Sequence, residues 1–193
     1  WHKAEHTWKK HRSKATKLSL MEQVDYHGKL TAQHPAAPCR VVYSASGTTI
    51  AAAVLDDPSA VVEHSMYWAT AASHDEARYI CAILNSQALL DRVKGLQSRG
   101  QFGARHFDTY VFGVPFPLYD PDKELHRHLA KAAAEAEVVA TQVTIGDDTQ
   151  FQKARKDIRA ALAADGVGGR VEALVQQLIA PPQADEWGEI IAP

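Results

Sequence analysis

Ser73-His74-Asp75-Glu76-Ala77-Arg78-Tyr79-Ile80-Cys81-Ala82-Ile83-Leu84-Asn85-Ser86 is the stretch on which the fold turns. Ser73 and Glu76 stand at capping-box spacing ahead of an apolar run, so the hydroxyl is placed to accept from the Glu76 amide while the Glu76 carboxylate reaches back. A helix is expected to start there. Ala77, Ile80, Cys81, Leu84 and Ala88 then recur at helical spacing and predict one buried stripe. Asn85-Ser86 is expected to kink the helix before Gln87 to Val93, and Gly95 to stop it.

On the amino-terminal side of this helix, β-branched and aromatic residues predict three strands: Arg40-Val41-Val42-Tyr43, Thr48-Thr49-Ile50 and Val61 to Trp68. The turns between them are read at Ala45-Ser46-Gly47 and Asp56-Asp57-Pro58-Ser59. On the carboxy-terminal side, Tyr110-Val111-Phe112-Gly113-Val114 reads as a strand that Pro115-Phe116-Pro117 ends. Asp120-Pro121 is the expected opening of a helix, with Asp120 as its cap. Leu125, Leu129, Ala132, Ala136, Val139 and Val143 form its seam against a near-parallel partner. Thr149 and Gln152 read as a capping box for a helix carrying Phe151, Ala154, Ile158 and Ala161. Val171, Leu174, Val175, Leu178 and Ile179 make a last apolar face before Pro181-Pro182. The expected class is α+β: a small mixed β-sheet with flanking helices, followed by an α-helical carboxy-terminal part. Residues 1–34 are read as a basic arm or connector, 35–120 as an α/β recognition domain and 121–193 as the helical region.

The chain has 193 residues, 46% of them apolar, which suffices for a sizeable core. No apolar run is long enough to cross a bilayer, and the amino terminus lacks the pattern of a secretion signal. Cys39 and Cys81 lie outside any CxxC arrangement and are expected to remain thiols, as in a cytoplasmic protein. The start at Trp1, without an initiator Met, leads to the expectation that the chain is a piece of a longer protein. Its net charge of -2 conceals an asymmetry: residues 1–34 hold seven Lys or Arg, three acids and five His. A second basic concentration runs from Arg92 to His106, where Arg92, Lys94, Arg99 and Arg105 meet no acid. Local patches matter more than totals for binding phosphates.

From Tyr67 to His128 the order is strand, the Ala77 to Ser86 helix, a Gly-rich loop with Arg105-His106, a strand, Pro115-Phe116-Pro117 and a helix. With Asp25-Tyr26-His27-Gly28-Lys29-Leu30 and the Arg40 to Tyr43 strand followed by Ser46-Gly47-Thr48, this pattern resembles the carboxy-terminal target-recognition region of adenine-specific DNA methyltransferases. It covers residues 18–145 and includes Ile83-Leu84-Asn85-Ser86. The resemblance implies sequence-specific recognition of double-stranded DNA, in a restriction-modification or related defence system. Adenine methylation would then be carried out by an upstream catalytic domain that binds S-adenosylmethionine. It implies no catalytic residue, cofactor or metal in this chain itself.

The window from Lys94 to His106 has the side chains such recognition needs. Lys94, Arg99 and Arg105 suit phosphates, and the two arginines also suit guanine. Gln101 suits adenine, Phe102 a wedge or a stack, and His106 a polar contact. Gly100 and Gly103 permit close backbone approach. The alternative is that Arg105 and His106 bond the loop to its own core and that Phe102 is buried.

Other chemistry finds little support in the residues. The Pro-Pro-aromatic tetrad of adenine methyltransferases is missing, since Pro181-Pro182 lies between Ala180 and Gln183. Gly166-Val167-Gly168-Gly169 follows no strand, which argues against a nucleotide loop. His2-Lys3-Ala4-Glu5-His6 matches the H-x-x-E-H pattern of inverted zinc metallopeptidases but sits at the terminus without a third ligand. His126 and His128 point to opposite faces of a helix and are expected at the surface. The main competing reading is a protein-protein interaction module with Ala-rich docking helices and no DNA binding.

Overall fold

A computed structural model describes residues 1–63, 65–94, 99–100, 103–104, 107, 111 and 113–179; at 99, 100, 103 and 104 it describes the backbone alone. Among the described residues the fold is α+β. The larger sheet consists of β1 (Arg40–Ser44), β2 (Ala52–Leu55) and β3 (Met66–Thr70). Its order is β2-β1-β3, antiparallel throughout. The first strand is therefore central, with Val41 facing Val54 on one side and Ala69 on the other. A ribbon of two-residue strands, β4 (Arg99–Gly100) and β5 (Gly103–Ala104), lies in the expected loop.

The helices are α1 (His2–His11), α2 (Leu20–Val24), α3 (His74–Asn85), α4 (Gln87–Lys94), α5 (Glu124–Thr141), α6 (Phe151–Asp165) and α7 (Val167–Leu178). Within residues 1–34, α1 and α2 contain no buried residue, whereas the side chain of Gln33 is buried. No helix among the described residues is long and apolar enough to cross a membrane.

Two expected strands move for identifiable reasons. Thr48 to Ile50 stays out of the sheet, where Arg155 of α6 donates to Thr49 O at 3.2 Å and Thr49 Oγ1 at 2.7 Å. Ala52–Leu55 pairs instead, although it is the less β-prone segment. Val62 is held by the Gln33 amide in both directions, at 2.9 and 2.7 Å, so the third strand begins only at Met66.

The strand expected at Tyr110 to Val114 also differs at the residue described. Here the described Val111 amide bonds the Phe107 carbonyl at 3.1 Å, a helical turn rather than a strand bond. Residues 108–110 and 112 lie outside the described ones.

Helix α3 organises the core. Ser73 accepts from the Glu76 amide at 3.1 Å, as the capping box requires, but Glu76 reaches to the Ala72 amide at 2.6 Å rather than to Ser73. Burial is wider than one stripe: Ala77, Tyr79, Cys81, Ala82, Ile83 and Leu84 are all buried, while Ile80 and Ala88 are half-buried. The helix lies against β1 and β2 on one side and against α5 and α7 on the other. One core thus contains Val41 and Tyr43 of the sheet, Leu84 and Leu89, Leu129 of α5 and Val175 of α7. It runs continuously across residue 121.

The α3–α4 break falls where the sequence predicts it, and its polar atoms are satisfied from both sides. Ser86 Oγ donates to Ile83 O at 2.7 Å and accepts from the Leu89 amide at 3.1 Å, so one side chain closes α3 and opens α4. Glu172 of α7 accepts from the Gln87 and Ala88 amides at 2.7 and 2.9 Å and adds negative charge at that helix start. Asn85 pairs with both main-chain groups of Ala52, at 2.9 and 3.0 Å, and so covers part of an edge strand.

Helix α5 starts at Glu124, three residues beyond the expected first position at Pro121. Asp120 turns on itself, its carboxylate accepting from the Asp122 amide at 2.9 Å and its carbonyl from the Lys123 amide at 3.2 Å. Of the α5 seam, Leu129 and Ala132 are buried, and Leu125, Ala136, Val139 and Val143 are half-buried. His126 is a clear departure from its expected surface position, being only 2% exposed, whereas His128 is exposed. Its Nδ1 accepts from the Asp120 amide at 3.0 Å, and the rings of Tyr79 and Tyr119 lie 4.9 and 6.3 Å away. Helix α6 lacks the predicted side-chain cap, and Phe151 is exposed with Arg155 over its ring.

Burial, and secondarily the Lys123 charge, depress the His126 pKa below the ordinary 6.5, so the unfolded chain takes up that proton first. The stability held by neutral His126 is fully present above 6.5 and is lost as the pH falls from there towards the lower folded value. His126→Asn retains a hydrogen-bond acceptor but does not titrate. The stability gap between wild type and this variant should narrow between about pH 7.5 and about pH 5.5 in urea unfolding. Glu172→Ala, which strips two amides of their acceptor, should cost about 1–2 kcal/mol in the same assay, and Glu172→Gln less.

Candidate nucleic-acid interface and a side-chain cluster at the far end of the sheet

The basic window begins on a rigid support. Leu89, Leu90 and Val93 bury one face of α4, which leaves Asp91, Arg92 and Lys94 exposed on the other. Lys94 Nζ lies 3.3 Å from Asp91 Oδ1, an exposed pair whose attraction water largely screens. Arg92 makes no ion pair among the described residues. Arg92 and Lys94 sit in the last turn, where cations complement the helix dipole.

The chain returns to the core at Phe107, which is fully buried and whose amide donates to Ala45 O at 3.0 Å. Between these anchors, Arg99 pairs with Ala104 and Gly100 with Gly103. The structure thus puts the Arg99 backbone in a ribbon, downstream of Lys94 on its helix. Gln101, Phe102, Arg105 and His106 lie outside the described residues. Phe107 also packs near Gly47, whose φ of 136° makes a side chain there strained. The ribbon is therefore rooted beside the β1–β2 connection.

At the other end of the sheet, the register brings together three side chains distant in sequence. Arg40 faces Leu55 on β2 and Thr70 on β3, so Cys39 and Asp56 emerge next to one another, with the start of α3 close by. Cys39 Sγ, a carboxylate oxygen of Asp56 and a ring nitrogen of His74 all lie within 4.8 Å of one another. His74 Nε2 is 3.1 Å from Asp56 Oδ1. Cys39 is buried and donates weakly to Ser73 O at 3.9 Å. Burial, and next the Asp56 charge, push its thiol above the ordinary range. The second thiol, Cys81, is pushed up to about 12, chiefly by burial.

No motif spacing announces this cluster. In sequence, Asp56 reads as a turn residue, His74 as part of a helix start and Cys39 as a thiol outside any disulfide. The His2-Lys3-Ala4-Glu5-His6 segment lies on α1, which has no buried residue, and it forms no metal-ligating group with other described residues.

Arg40 adds a polar feature on the opposite face of β1. It is fully buried, and its Nη2 donates to Asp57 O at 2.7 Å and Ala60 O at 2.9 Å. The β2–β3 connection is thereby tied across the sheet, fixing the stretch that begins with Asp56. Compared with protein-family models, curated proteins and solved structures, the chain matches none significantly.

Proposed function

We propose that this chain recognises double-stranded DNA as the target-recognition region of an adenine N6-methyltransferase of a restriction-modification or related defence system. The observation that carries the reading is the acid-free basic window built around a two-stranded ribbon and rooted between buried Val93 and buried Phe107. A two-stranded ribbon is narrow enough to enter a major groove, and glycines at its inner register pair leave the backbone free to approach closely. In this reading Lys94, Arg99 and Arg105 neutralise phosphates or read guanine. Gln101 and His106 make polar contacts to base edges, and Phe102 stacks or wedges.

Catalysis belongs to an upstream methyltransferase domain, which holds S-adenosylmethionine and the flipped adenine. The role of this chain is to orient that domain on the duplex. Leu118 and Phe151, 88% and 68% exposed, favour the second reading, a module that docks on another protein.

Fluorescence anisotropy with labelled duplex DNA separates the two readings. Three phosphate contacts predict that affinity falls about 40-fold between 50 and 200 mM salt. Changing Lys94, Arg99 and Arg105 together to Ala should abolish most of that salt dependence. An absence of duplex binding at low salt, or full binding by the triple variant, would defeat the proposal and favour the docking module.

A further inference from the structure

We propose that Cys39, Asp56 and His74 form a binding site for a zinc-like divalent cation, with a fourth coordination position open to solvent. The inference is independent of DNA recognition, because the cluster and the ribbon root lie at opposite ends of the three-stranded sheet.

The donor set is the first reason. A thiol, a carboxylate and an imidazole are the three side-chain types that bind zinc, and three protein ligands with one open position are a common arrangement. They come from three elements that the register holds together: the residue before β1, the residue after β2 and the first residue of α3.

The second reason is how mobility is distributed. Bonds of about 2.0–2.3 Å place tetrahedral ligand atoms about 3.3–3.8 Å apart, so the separations of up to 4.8 Å need only modest closure. The sulfur is fixed in the buried wall. His74 and Asp56 retain 52% and 59% side-chain exposure and can rotate towards it, giving up only their exposed contact with one another.

Charge balance is the third. On binding, the Cys39 S–H bond breaks, its proton passes to solvent, and the sulfur electron pair forms the bond to the metal. Thiolate and carboxylate then neutralise a dication, and imidazole binds as the neutral ligand. The nearby Arg78 cation is already engaged by Glu137 at 2.9 Å and faces Asp75 at 4.0 Å. The bound ion would clamp the sheet end to the start of α3.

The test uses the full chain, stripped by chelator and titrated with Co²⁺, which reports a thiolate ligand through a sulfur-to-metal charge-transfer band. One Co²⁺ per chain with that band is expected. Cys39→Ser should remove the band, whereas Cys81→Ala, which changes the only other thiol in the chain, should keep it. Asp56→Asn and His74→Gln alter exposed side chains and should each weaken binding at least tenfold. Zinc should raise the thermal midpoint of the wild type and leave that of Cys39→Ser unmoved.

The His2→Ala/His6→Ala double variant separates this site from uptake by the amino-terminal histidines and should retain the band. Absence of a thiolate band in the wild type would overturn the proposal. So would a band that survives intact in the Asp56→Asn/His74→Gln double variant, or metal uptake that disappears with His2 and His6.

Discussion

The architecture depends on burying α3 from two sides at once. A helix on a sheet needs one apolar face, but here a sheet and two helices compete for the same cylinder, so residues around most of its circumference are small or apolar. Ala77 and Ala82 permit close approach, while Tyr79, Ile83 and Leu84 fill the volume between layers. Tyr79 carries its hydroxyl out of the core to Pro117 O at 2.8 Å, which satisfies the polar group that its burial would otherwise strand. Its ring meets Tyr119 and His126, coupling the segment before α5 to the first turn of α5. A histidine in that place works only as the neutral tautomer that accepts at Nδ1.

The ends of α3 are where polar side chains substitute for main chain. Ser73 and Ser86 cap the helix starts of α3 and α4, Asn85 meets the edge of β2, and Gln33 does for Val62 what a neighbouring strand would do. Each supplies a partner to a peptide group that helix or ladder bonding leaves open, and around Ser86 and Val62 that group is buried. The Ile83-Leu84-Asn85-Ser86 element therefore has a structural account that requires no ligand: two residues fill the core, one covers an edge and one joins two helices. That account stands beside the resemblance to target-recognition regions and does not depend on it.

The two candidate sites were unequally legible. The basic window is continuous in sequence, so its cations and glycines could be read directly, including the α4 support ahead of it. The ribbon pairing was not legible, because two-residue strands leave no periodicity. Cys39, Asp56 and His74 were invisible as a group because antiparallel register juxtaposes residues by their distance from strand ends. The burial of His126 escapes the sequence for a related reason: the face on which a helical residue lies is periodic, but the depth of that face depends on what packs over it.

What the sequence determined by itself was the α+β class, the start of α3, the break at Asn85-Ser86 and the apolar faces of α5 and α7. These are local consequences of caps, propensity and helical period. Only the tertiary structure decided which segment became the second strand, where the third began and how deeply His126 is buried. It likewise decided which ends of the sheet carry the ribbon root and the Cys39 cluster. Those outcomes follow from competition for the same hydrogen-bond partners and the same core volume. Arg155 taking Thr49 and Gln33 taking Val62 are long-range choices that local propensity cannot express.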